Sequence, residues 1–156
     1  MPCQFSTLGS EGLDILVRAR LDFILDLHAD YTAEQVAALE SGTRDYFERH
    51  LAAGDYLGIV GRLGEEVVCS AGLLYYELPP LKSAQSRKLG HVLNFFTRPE
   101  HRGAGYGTAM MEYIKGLARR EGVGKLVLNA TAMGYPVYAA CGFKEPEERA
   151  MILEEW

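Results

Sequence analysis

Apolar residues recur at Leu13, Val17, Leu21 and Ile24, with His28 continuing the spacing, while Asp14, Arg18, Asp22 and Asp26 recur four apart on the other side. A period of three to four residues belongs to a helix with one face buried and one in water, so this segment is expected as a surface helix. Residues 3–8 precede it as a weakly signalled edge strand. After it, Thr32 followed by Gln35 offers a capping box for a second helix whose inward side is Val36 and Leu39. Ser41-Gly42 is expected to interrupt that helix, and residues 43–53 to resume as another, with Phe47 and Leu51 inward, ended by Gly54-Asp55.

The pattern then changes to strands. Residues 56–62 and 67–77 are joined by the tight turn Leu63-Gly64-Glu65-Glu66, the spacing and composition of a hairpin. Pro79-Pro80 stops the sheet, and residues 78–87 form a polar, basic loop. Residues 88–97 are largely apolar on both faces, which predicts a central strand covered on each side. Helical spacing returns over residues 106–121, with Met110, Ile114 and Leu117 inward, Glu112, Lys115 and Arg119 outward, and a basic carboxyl end that the helix dipole favours. Gly122 and Gly124 close it. A strand over 125–129, a short helix over 136–140 and a last strand region over 143–153 complete the chain. The order predicts a mixed α/β sandwich with helices on both faces of the sheet. At 156 residues, without repeats, low-complexity tracts or linkers, residues 1–156 are expected to form one domain.

The junction of the central strand with the following helix reads Asn94-Phe95-Phe96-Thr97-Arg98-Pro99-Glu100-His101-Arg102-Gly103-Ala104-Gly105-Tyr106-Gly107. A strand entering a glycine-spaced turn that opens into a helix makes an anion cradle, because small residues let backbone N–H groups converge where the helix dipole is positive. A nucleoside-triphosphate loop needs a lysine before the closing Ser or Thr, and Gly107-Thr108 has none. A dinucleotide fingerprint follows the first strand of its unit and spaces its glycines differently, whereas Gly103, Gly105 and Gly107 stand two apart and late in the chain.

What remains is Arg-x-x-Gly-x-Gly, from Arg102 through Gly105 to Gly107, preceded by Pro99-Glu100. This resembles the acetyl-CoA-binding turn of the GCN5-related N-acetyltransferase (GNAT) family. A second motif downstream, Tyr138 followed by Gly142-Phe143, is similar to the family's closing strand, tyrosine helix and Gly-Phe. The likeness is good from about residue 88 to residue 153 and rests on element order before that.

The resemblance implies a mostly antiparallel mixed sheet with a splayed central strand pair, and acetyl-CoA bound in the splay. It implies that backbone groups around Phe95, Phe96 and Thr97 meet the pantetheine and the thioester carbonyl. The amides of Gly103, Ala104, Gly105, Gly107 and Thr108, with Arg102, would hold the pyrophosphate, and Tyr138 would protonate the departing thiolate. The family often draws its base from a carboxylate on the central strand, and residues 88–97 contain none. His91, Glu77 and a water chain ending on backbone carbonyls are the candidates. Where many members carry an asparagine this chain has Thr131, so a cofactor contact from the displaced Asn129 departs from the pattern. The acceptor would be an amine of a small molecule or peptide, walled by residues 28–32 and 78–87, with Tyr31, Tyr75, Tyr76, Phe95 and Phe96 as candidate lining. A noncatalytic acyl-CoA sensor is the alternative. Homodimerisation is common in the family, and the last strand offers an edge.

Composition narrows the partners. Lysine and arginine total 16 against 21 acidic residues, a net charge of -5, which opposes nonspecific nucleic-acid binding. Cys3, Cys69 and Cys141 lack CxxC spacing and are odd in number, so a reduced, cytoplasmic home without a disulfide framework is expected. No apolar run or basic leader suggests a membrane span or an export signal. His28, His50 and His101 have no metal-ligand spacing, and no metal is expected.

Overall fold

The computed structural model describes residues 2–79 and 87–154. Five strands form one sheet in the order β1 (Gln4–Leu8), β2 (Tyr56–Leu63), β3 (Glu66–Glu77), β4 (Lys88–Thr97) and β5 (Lys125–Val127). The first four run antiparallel to their neighbours, and β5 is parallel to β4. Helices α1 (Leu13–Leu27), α2 (Ala33–Ala53), α3 (Tyr106–Arg120) and α4 (Tyr135–Ala140) cover both faces.

Strand alternation explains the two half-cores. Leu73 and Val92 point to one face and pack with Met110, Met111, Ile114 and Leu117 of α3. Their chain neighbours Leu74 and Leu93 reach the other face, where Leu16, Val17 and Leu21 of α1 meet Phe47 of α2 and Tyr56. A strand that feeds both cores must be apolar on both sides, which is what the pattern of residues 88–97 required.

Three expectations need correction. Ser41-Gly42 does not break the second helix, and α2 runs through it without interruption. Both residues are exposed and a side chain at Gly42 would meet nothing, so the pair costs only helix propensity, about 1 kcal/mol. The intact capping box of Thr32 and Gln35 and the buried Phe47 beyond the pair offset that cost. The strand expected over 125–129 ends at Val127. Residues 143–153 form no strand: Met151, Ile152 and Leu153 are 94%, 83% and 71% exposed, because an apolar run without a neighbouring ladder has nothing to pair with. The edge invoked for dimerisation is therefore not supplied by that segment. Residues 80–86 of the expected loop lie outside the described residues, and its flanks are joined by the Leu78 N–H donating to the Arg87 carbonyl at 3.2 Å.

Two irregularities open the sheet where function needs it. Pairing of β4 with β5 covers only Leu89 with Lys125, Gly90 with Leu126 and His91 with Val127. Beyond His91 the two strands diverge. On its other side β4 shifts register against β3, with Gly72 opposite Leu93 but Ser70 opposite Phe96, so Asn94 and Phe95 together face Ala71 as a bulge. Asn94 takes a φ of 53°, a left-handed conformation that asparagine tolerates better than most residues.

Candidate active site

A cavity of about 520 Å³ occupies the gap beyond His91 and joins the two faces of the sheet. Its walls come from α1, the second half of β4, the glycine turn and α4.

The turn half of the wall is rich in glycine, with Gly103, Gly105 and Gly107 among its lining residues. Gly103 and Gly105 have φ of 78° and 83°, and Gly105 is the N-cap of α3. No side chain caps that helix and no acidic residue lies in its first turn. The first N–H groups of a helix have no internal acceptor, so those of Tyr106, Gly107 and Thr108 are left for a ligand. A side chain added at Gly105 would meet no protein atom within 4 Å. Glycine is required there by the left-handed backbone, and the open space is what an incoming anion would occupy.

Arg102 holds the turn in place. Its Nε donates to the Thr97 carbonyl at 3.0 Å, its Nη2 reaches Asp26 Oδ2 at 2.5 Å, and its guanidinium lies 5.6 Å from the Phe96 ring centroid. The side chain thus ties the turn to α1. The acidic face of α1, legible in sequence as solvent-facing, leans on these arginines: Asp22 approaches Arg98 at 3.5 Å as well as pairing with Arg18 at 3.0 Å.

Tyr138 enters from α4. It is 7% exposed, with its ring edge-on to Phe95 at 5.4 Å and near Phe143 at 6.1 Å. Thr131 fixes the turn before α4 by accepting from the Gly134 N–H at 3.1 Å, a local role for the residue that replaces the family's asparagine. The Gly142-Phe143 pair ends the helix: Gly142 has a φ of 94°, and the Phe143 N–H donates to the Tyr138 carbonyl at 3.0 Å. A side chain on Gly134 would come within 2.8 Å of the Tyr138 ring, so glycine there permits the ring its place. Burial raises the phenol pKa above its ordinary value, which keeps the hydroxyl protonated as a donor.

The opposite wall uses residues that sequence reading missed. Arg20 on α1 donates from Nη1 to Asn94 Oδ1 at 2.6 Å, and Asn94 Nδ2 donates to the Tyr56 hydroxyl at 3.0 Å. Gly72 makes this possible, because any side chain there would collide with the Tyr56 hydroxyl. The bulge of β4 turns Asn94 into this network, and no spacing in the sequence announces a bulge. The one available signal was an asparagine inside an otherwise apolar strand. Burial lowers the Arg20 pKa from its ordinary value, yet a guanidinium remains charged near neutrality.

Of the residues expected at the site, Phe95, Phe96, Thr97, Arg102, Gly103, Gly105, Gly107, Thr108, Asn129, His91 and Tyr138 all line the cavity. Ala104 and Glu77 do not. Glu77 is exposed at the far end of β3, paired with Lys88 across the ladder. Of the acceptor-wall expectations, Phe95 and Phe96 line the cavity, whereas Tyr31, Tyr75, Tyr76 and residues 28–32 do not. At the cavity's edge, which His101 lines, ligand-type atoms of Glu66, Glu100 and His101 come within 4.8 Å of one another, a grouping that residue spacing concealed. Glu66 also bonds His101 Nε2 at 3.1 Å and approaches Arg98 at 3.6 Å, so existing partners engage that carboxylate. No helix among the described residues is long and apolar enough to cross a membrane.

An open strand pair beside an uncapped glycine turn is the geometry that the sequence resemblance implied, and comparison with known proteins identifies the family. The model of the acetyltransferase (GNAT) family matches residues 21–143. A GCN5-related N-acetyltransferase from Ralstonia eutropha JMP134 is 30% identical, with a TM-score of 0.80 over 97% of this chain and 99% of that one. A predicted acetyltransferase from Clostridium acetobutylicum, solved with acetyl-CoA, shares the fold with a TM-score of 0.84 at 20% identity, over 97% and 96% of the two chains. A glucosamine 6-phosphate N-acetyltransferase from Trypanosoma brucei brucei is 31% identical over 88 residues, 56% of this chain, and the match spans 57% of that protein. The chain belongs to the GNAT family of acetyl-CoA-dependent N-acetyltransferases.

Proposed function

We propose that this chain transfers the acetyl group of acetyl-CoA to a primary amine of a small molecule or peptide, by direct attack within a ternary complex. One observation carries the reading: the uncapped start of α3 and the buried Tyr138 open into the same cavity. The turn is read as the diphosphate site, with the thioester directed into the gap between β4 and β5. The amine attacks the thioester carbonyl, and its oxygen gains negative charge. Backbone donors of the splayed strand around Phe95 to Thr97 are read as stabilising that charge, an effect of about 2.7–4 kcal/mol for one well-placed donor. Collapse breaks the carbon–sulfur bond, and the Tyr138 hydroxyl donates its proton to the thiolate.

For the amine proton, His91 is the better-supported of the two side chains, since it lines the cavity and Glu77 does not. Among the described residues Asp26 is the one carboxylate on the cavity wall, and Arg102 engages it. Glucosamine 6-phosphate, which the Trypanosoma relative's name gives as its acceptor, is itself a small primary amine, which favours a small-molecule acceptor over a peptide.

Thiol release from acetyl-CoA, measured against a panel of primary amines, tests the proposal. Tyr138→Phe should lower turnover roughly ten- to thousand-fold while CoA affinity measured by calorimetry stays within about twofold. A phenylalanine variant with full turnover removes Tyr138 as the acid. Tight CoA binding with no thiol release for any amine favours the noncatalytic acyl-CoA sensor.

A further inference from the structure

The carboxylates of α1 are each committed to an arginine, and none of them to Arg20. Asp14 pairs with Arg44 at 2.7 Å, Asp22 with Arg18 and Arg98, and Asp26 with Arg102. Arg20 lies on the same helix, partly buried in the cavity wall, and no acidic residue approaches it within ion-pair distance among the described residues. Its surroundings are neutral: the Asn94 amide accepts one N–H, and the Phe23 ring centroid lies 5.6 Å from the guanidinium carbon. A guanidinium has five N–H donors. One is used on Asn94.

Withdrawing a charge from water without a counter-charge is costly, and proteins rarely keep such an arrangement unless a ligand completes it. The orientation is also held. Asn94 presents its carbonyl to Arg20 because its amide is fixed by the Tyr56 hydroxyl, which stands over Gly72. Arg20 and Leu93 belong to the α1 side of the sheet, across the gap from Tyr138 and Phe95. An acceptor approaching from that side toward a thioester near Tyr138 would meet this cation.

Resting on the transferase reading above, we infer that Arg20 is a specificity-determining residue: the acceptor is an amine that carries an oxyanion, a phosphate or a carboxylate, and Arg20 binds that group. The planar fork of a guanidinium matches both anions by paired hydrogen bonds. A cationic polyamine would be repelled by the same group.

Two measurements test this. In the first, protein labelled with [15N]arginine and saturated with CoA is titrated with inorganic phosphate and, separately, with acetate, at constant ionic strength. The Arg20 Nε–H resonance, assigned by its loss in Arg20→Gln, should shift saturably with at least one anion. No saturable shift with either one overturns the inference, whether or not any amine is acetylated.

In the second, thiol release is compared within two pairs, phosphoethanolamine against ethanolamine and β-alanine against β-alaninamide. The anionic member of one pair should be preferred, and that pair identifies the oxyanion. Arg20→Gln should shrink the preference in kcat/KM by roughly tenfold to a hundredfold, the range for a hydrogen-bonded charge, and Arg20→Lys should restore part of it. A preference for the neutral members, or one that Arg20→Gln leaves intact, sinks the proposal. Saturable anion binding at Arg20 without acetylation of any amine leaves the anion site standing and removes the transferase reading instead.

Discussion

The two ends of the cavity are built by different means. The α3 side is glycine-rich, with glycines in left-handed conformations, helix N–H groups without a side-chain cap, and open space around Gly103 and Gly105. On the α1 side it is a chain of side chains, from Tyr56 through Asn94 to Arg20, drawn from three elements far apart in sequence. Main-chain donors suit a group common to every acyl-CoA, and side chains suit a variable partner, because they can be exchanged without rebuilding the turn. On the proposed function, variants at the two ends should separate cosubstrate binding from acceptor choice.

Two glycine substitutions should divide the cavity sharply. Gly105→Val forces a β-branched residue to a φ of 83° and fills the open space proposed for the diphosphate. Backbone strain of about 1–3 kcal/mol together with lost donors should lower CoA affinity about a hundredfold or more by calorimetry. Circular dichroism should remain native, since no protein atom is struck. Unchanged CoA affinity would place the diphosphate elsewhere.

Gly134→Ala should give the opposite signature. Its φ of -79° accepts alanine, but the new methyl meets the Tyr138 ring at 2.8 Å. Displacing the phenol by a few tenths of an ångström should cost roughly tenfold in turnover and little in CoA affinity, because positioning errors act on the reacting geometry. Equal losses in both quantities would mean that α4 supports the cosubstrate pocket as a whole.

The smallest effect belongs to the acceptor-side network. Tyr56→Phe removes the acceptor of the Asn94 amide and should destabilise the fold by about 1 kcal/mol near neutral pH, read from urea unfolding. Burial holds the Tyr56 phenol above its ordinary pKa of 10.0 in the folded state. Below that value both states are protonated and the phenol adds no pH dependence. As pH rises past it the unfolded chain ionises first, so wild-type stability falls and the gap to Tyr56→Phe should narrow. A constant gap would show that the phenol is not held in its neutral form by folding.

Much of this was legible in the chain, for reasons that differ by residue. The apolar faces of residues 88–97 foretold a central strand, because a strand between two helical layers has no solvent side. The glycine turn was legible because a main-chain binding site is specified locally: the residues that must be small are consecutive with those that bind. Tyr138 was legible only through its helix-ending Gly142-Phe143, which is again a local device. Ser41-Gly42 misled, since a weak helix former on a solvent face yields to anchors on either side. The apolar residues near 151 misled in the same direction, as alternation indicates a strand only where a partner strand exists.

By itself, then, the order of residues determined the layers, the glycine turn and the helix that carries Tyr138, since each depends on contacts within a few positions. Tertiary structure alone decided which ionisable groups share the cavity. The bulge at Asn94, the room left by Gly72 and the pairing of Asp14, Asp22 and Asp26 with Arg44, Arg98 and Arg102 are consequences of packing between distant segments. A charge becomes a recognition element only when its neighbours leave it unmatched, and neighbours in space are not neighbours in sequence.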